Sequence, residues 1–189
     1  MWGGGFALIS LPGLLPPLNG DEAVTYLENV DSTTFQIFFQ YAATNQHSLF
    51  SILSNASMRI FGENEVAFRL PVFFAAILSI FFIHRLGQKL WNNRVATFAS
   101  FLMVGSTPHL YWAQHGRGYA LTELLALTTV CGTIFLLDEK YSKKGACALI
   151  ISGFPLCVVL PSNAYFLPAC GLAFIYVLWI SKNPKTLKP

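Results

Sequence analysis

Apolar residues fall into six runs along the chain, at 2–18, 66–83, 95–111, 119–137, 145–160 and 164–180, separated by short polar connections. The last five each hold roughly 16 to 19 residues, and at about 1.5 Å per residue each can cross most of a hydrocarbon core about 30 Å thick. The pattern predicts an all-α integral membrane protein with about six transmembrane helices. The first run, with prolines at Pro12, Pro16 and Pro17, has no basic residue ahead of it and no small-residue cleavage pattern before Asn19, so it reads as a first span rather than a signal peptide.

Between the first two runs lies a polar stretch, 19–65, with its own periodicity. Phe35, Phe38, Phe39 and Ala42 recur at helical spacing, as do Leu49, Ile52, Leu53, Ala56 and Ile60, with Gly62 where a C-cap belongs. Two amphipathic interfacial helices are expected there, lying on the bilayer surface or against the bundle. The chain thus divides into a first span (1–18), this loop (19–65), five further spans (66–181) and a basic tail (182–189) within one membrane domain.

Charge orients the spans. Nine of the twelve basic residues occupy alternate connections: Arg85, Lys89 and Arg94; Lys140, Lys143 and Lys144; Lys182, Lys185 and Lys188. The positive-inside rule places these in the cytoplasm, and with them the N-terminus, so the 19–65 loop faces outward in a multi-pass protein. Only 11% of residues are charged, 54% are hydrophobic, and the formal net charge is +3, with no basic patch interleaved with aromatics. Nucleic acid is therefore not expected as a partner; membrane lipids are. Cys131, Cys147, Cys157 and Cys170 all lie in apolar runs without paired spacing, which suits helix packing rather than a zinc or redox motif.

The outward loop concentrates chemistry. It carries six of the nine acidic residues, and Asp21 and Glu22 stand just after the first run. Either a helix N-cap by Asp21 or a general base with a neighbouring carboxylate would explain them, since adjacent helical residues point about 100° apart. His47 falls in the turn between the two amphipathic helices. Together with Glu22 it could hold a divalent metal, although no ligand spacing marks such a site, and no other cofactor is called for. Arg117 opens the fourth run at the membrane boundary, where a guanidinium could grip a lipid phosphate or pair with Glu123, the one acid within a span.

The run Phe61-Gly62-x-x-Glu65-x-Ala67-x-Arg69-Leu70-Pro71, the Leu86-Gly87 pair, and Tyr111-Trp112-x-Gln114-x-x-Arg117-x-Tyr119-Ala120-Leu121 make the chain resemble the N-terminal part of GT-C type polytopic glycosyltransferases. The resemblance is to the dolichyl-phosphate-mannose protein mannosyltransferase and aminoarabinose transferase group, whose members usually continue through further spans. It implies transfer of a sugar from a polyprenyl-phosphate-linked donor to a hydroxyl of a lipid or protein acceptor on the outer or lumenal face of a cell, inner or endoplasmic-reticulum membrane, with inversion. Asp21, with Glu22 beside it, would then be the catalytic acid pair, and Arg117, with Tyr119 and His47, would bind the carrier phosphate. This chain has Ser48-Leu49 where two small or rigid residues often follow the histidine, and His115 where an acid usually precedes the arginine by two. Outside that family, a transporter or flippase-like bundle using Arg117 and Glu123, or a non-catalytic scaffold, would also account for the spans.

Overall fold

The computed structural model describes residues 2–27, 46–137 and 142–182, all helical or in short connections. A short helix α1 (Trp2–Ser10) tightens into a 3-10 turn (Leu11–Leu14). After a proline-containing stretch come α2 (Gly20–Thr25), α3 (Ser48–Phe61), α4 (Glu65–Leu90), α5 (Asn93–Val104), α6 (Thr107–Gln114), α7 (Tyr119–Leu136) and α8 (Ser142–Val159). A second 3-10 turn (Pro161–Tyr165) leads into α9 (Phe166–Lys182).

Among the described residues, four stretches are long and apolar enough to span a bilayer: α4, α7, α8, and the 3-10 turn with α9 as Pro161–Ile180. Two of the six expected spans fall short. The first stops being α-helical at Ser10 because Pro12 has no N–H to continue the ladder and its ring crowds the preceding turn. The third breaks after Val104: Gly105 closes α5, and Pro108 sits in the first turn of α6, where a missing N–H costs nothing. At 12 residues, α5 is about 18 Å long.

The bundle is organised around α4, which packs against α1, α3, α5, α6 and α7, while α7 and α8 run tightly together. Where α7 and α8 cross, a Cβ on Gly145 would come within 2.7 Å of the Gly132 carbonyl oxygen. Side chains are absent there so that two backbones can touch, as at many helix crossings in lipid. The Thr129 and Ser152 hydroxyls join the same pair of helices at 2.8 Å. Phe6, Phe50, Phe68, Val72, Ala76 and Val159 form the interior, whereas Leu8, Phe74, Leu78, Ile150, Phe154 and Ile175 point outward, as expected of a surface that meets lipid.

Helix α3 reverses the simplest expectation for an amphipathic helix. Phe50, Ser51, Ser54, Ser57 and Met58 face α4, and the Ser54 hydroxyl donates to the Phe68 carbonyl at 2.8 Å, close to Pro71, where the α4 ladder lacks a donor. Its Leu53, Ala56 and Ile60 positions are exposed, an apolar face left for the membrane surface. Gly62, at φ 89°, ends the helix in a conformation that L side chains avoid, as its sequence position predicts. The companion helix expected around Phe35–Ala42 lies outside the described residues.

Candidate active site

The acid pair divides into two roles. Asn19 caps α2: its side chain accepts from the Glu22 backbone N–H at 3.0 Å, and the Glu22 carboxylate accepts from the Asn19 N–H at 3.0 Å, a reciprocal capping box. The cap is therefore Asn19, not Asp21. Glu22 is fully buried. Its carboxylate also accepts from Arg69 Nε at 2.8 Å, from Arg69 Nη2 at 2.5 Å and from the Gly116 N–H at 2.5 Å. Two donors reach each oxygen, which fills the roughly four acceptor directions of a carboxylate. Burial opposes ionisation of Glu22, but the Arg69 hydrogen bonds, the two backbone donors and the Arg69 charge outweigh it, and the group is held below its ordinary value.

Arg69 works in the other direction as well. Its Nη1 donates to the Leu14 and Pro16 carbonyls at 2.9 and 2.6 Å, and its Nη2 to the Pro17 carbonyl at 3.2 Å. These are carbonyls of a proline-containing stretch that has few backbone donors of its own. Arg69 is 3% exposed, so one guanidinium ties the N-terminal segment, α2 and α4 together in the interior.

With Glu22 fixed, Asp21 projects the other way, and its side chain is 83% exposed. Across from it, the buried Arg117 brings Nη1 within 3.6 Å of Asp21 Oδ2 and 3.5 Å of its carbonyl oxygen. Both lie on a cleft of about 420 Å³ whose other walls include Tyr111, Trp112, His115 and Tyr119. Tyr119 packs on Trp112 with ring centroids 4.1 Å apart, and Tyr111 stacks on His115 at 3.8 Å. The Gln114 amide donates to the Ser10 carbonyl at 3.2 Å, anchoring the end of α6, and the turn at 115–118 then carries Arg117 into α7. Gly116 is side-chainless where the Phe68 ring occupies the space a Cβ would take.

His47 sits behind this wall, 1% exposed, its ring edge-on to Tyr119 at 4.9 Å. Among the described residues neither of its ring nitrogens has a hydrogen-bond partner, and the same is true of Arg117 Nε. Burial, aided by the Arg117 charge, pushes the His47 imidazole down to about 4. It is neutral at physiological pH.

The sequence profile of one family, described as dolichyl-phosphate-mannose-protein mannosyltransferase, matches residues 48–188. The chain belongs to this family. Neither the curated proteins nor the solved structures yield a match. Family membership implies a GT-C type glycosyltransferase and, in general, a lipid-linked sugar donor and a protein acceptor. The matched region begins at α3 and contains Arg69, Arg117 and Tyr119; Asp21, Glu22 and His47 precede it and join the mannosyltransferase-like core through the contacts above.

The metal role expected of His47 and Glu22 does not fit these donors. The Glu22 oxygens are already occupied, and its charge is matched by Arg69. Among the described residues, no three His, Cys, Asp or Glu side chains converge as ligands. The partner of Glu123 is also different from the one expected: His109 Nδ1 lies 2.9 Å from Glu123 Oε2, while Arg117 faces Asp21. The two groups that a transport path would link thus have separate partners. Arg69 is the residue sequence reasoning missed. Its signal was a cation at the start of an apolar span, a position that calls for a counter-ion.

Proposed function

We propose that this chain carries the acid and the phosphate-binding cation of a polyprenyl-phosphate-sugar-dependent glycosyltransferase, working on the outer or lumenal face of a membrane that it crosses several times with its N-terminus in the cytoplasm. The observation that carries the reading is the pairing of an exposed carboxylate, Asp21, with a buried guanidinium, Arg117, on the lining of a cleft that aromatic rings also wall. In this reading Asp21 takes the proton of the acceptor hydroxyl. The acceptor oxygen attacks the anomeric carbon, and the bond from that carbon to the carrier phosphate breaks with inversion.

The leaving polyprenyl phosphate departs with the bonding electrons, and Arg117 balances its charge. Asp21 and Arg117 are close to each other, so the cation is poised at the same substrate as the base. Tyr119 walls the cleft beside Arg117, His47 packs behind Tyr119, and Glu22 positions rather than reacts. General-base assistance is typically worth about 10²–10⁴-fold.

The test is transfer of radiolabelled sugar from polyprenyl-phosphate donors by membranes bearing the full gene product. Asp21→Asn should lower transfer by about 10²–10⁴-fold with insertion unchanged. Arg117→Gln should do likewise. Transfer by Asp21→Asn at the level of the parent would remove Asp21 from the base role.

A further inference from the structure

At the end of α4 remote from the cleft, a second cavity of about 420 Å³ opens between the last turns of α4 and α7 and the first turn of α8. Arg85, Lys89 and Lys144 stand around it, with Phe81 on its apolar wall. Sixteen residues separate Arg85 from Arg69, about 24 Å along the helix, so the two cavities lie near opposite boundaries of one bilayer.

The apolar wall does not stop at the cavity. Phe74, Leu78 and Phe81 are 54%, 48% and 51% exposed, and with Arg85 they recur at spacings of four, three and four residues, which places them on one face of α4. That face is an outward apolar track ending in a guanidinium. The Arg85 guanidinium lies 5.1 Å from the Phe81 ring centroid, laid against an aromatic face while its planar fork keeps donors for an anion. Arg94 in the first turn of α5 and Lys143 in the first turn of α8 add positive charge at this end.

We propose that this cavity binds an anionic membrane glycerophospholipid, its headgroup phosphate among Arg85, Lys89 and Lys144 and an acyl chain along Phe74, Leu78 and Phe81. The basic lining favours an anionic headgroup, and the apolar track distinguishes a lipid from free phosphate. Basic pockets between spans at a membrane boundary are suited to anionic headgroups. This site is independent of the transfer reaction proposed above.

The full chain in detergent would be titrated with phosphatidylglycerol, phosphatidylcholine and inorganic phosphate, with bound lipid counted by native mass spectrometry. Preferential binding of phosphatidylglycerol is expected, weakened on the order of 100-fold in Arg85→Gln/Lys89→Gln/Lys144→Gln and about fivefold in Arg85→Gln alone. The single variant serves if the triple one does not insert. The comparison variant Arg59→Gln, matched to Arg85→Gln, removes one exposed charge from α3 and should bind as the parent does. Equal binding of phosphatidylcholine, saturation by inorganic phosphate, or the same weakening in the comparison variant would each overturn the proposal.

Discussion

Replacing Arg69 by methionine keeps a long apolar stem and removes the guanidinium from the interior. Glu22 would retain two of its four donors, the Asn19 and Gly116 N–H groups, and the carbonyls of Leu14, Pro16 and Pro17 would each lose one. Breaking a buried ion pair from one side costs about 3–5 kcal/mol, because the remaining charge is uncompensated. Unmet carbonyls would add to this where water cannot reach them. Thermal unfolding of the detergent-solubilised chain should register the loss. Adding Glu22→Gln should restore part of it, with a coupling of about 2–3 kcal/mol in the double-mutant cycle.

The pH dependence gives an independent check. In the parent, Glu22 is held below 4.5, so its contribution is complete above that value and is lost as pH falls through the lowered one. In Arg69→Met, burial dominates and raises the Glu22 value, so acid should stabilise the variant relative to neutral pH. A cost below about 1 kcal/mol with an additive cycle would refute the clasp. Full stability with abolished transfer would instead make Arg69 and Glu22 reacting groups.

Other outcomes follow from the same geometry. Asp21→Asn should lower stability by no more than about 1 kcal/mol, the worth of an ion pair whose carboxylate is exposed, whereas Glu22→Gln should lower both stability and transfer. His47, neutral down to about 4 when folded and 6.5 in its ordinary state, makes stability fall as pH drops from 6.5 toward 4, by on the order of 3 kcal/mol. In His47→Phe that segment of a pH-stability profile should be flat. Gly116→Ala would place a methyl on the Phe68 ring and should cost about 1–3 kcal/mol in unfolding measurements, together with transfer, because Arg117 is the next residue.

What could be read in advance was what is local. Runs of apolar length disclosed α4, α7, α8 and α9, and Gly62 disclosed the end of α3, because hydrophobic thickness and a positive φ act on neighbouring residues. The broken third span was legible too, in Gly105-Ser106-Thr107-Pro108, but its overall apolarity hid the punctuation. The partnerships were not legible. Glu22 meets Arg69 across 47 residues and Gly116 across 94, and nothing in the spacing says which of two adjacent acids turns inward. The capping box decides it: once Asn19 and Glu22 hold each other, Asp21 is turned about 100° away, toward the cleft.

The Arg69 clasp also sets an order of events during synthesis. Until residue 69 has been made and α4 inserted, the carbonyls of Leu14, Pro16 and Pro17 lack the donor that later holds them, and until residue 116 has followed, the Glu22 carboxylate lacks its Gly116 contact. A nascent chain arrested before residue 69 therefore has the Asn19–Glu22 capping box to turn its two acids apart, but no buried guanidinium to hold Glu22. Asp21, among the first side chains made, meets its partner Arg117 only 96 residues later.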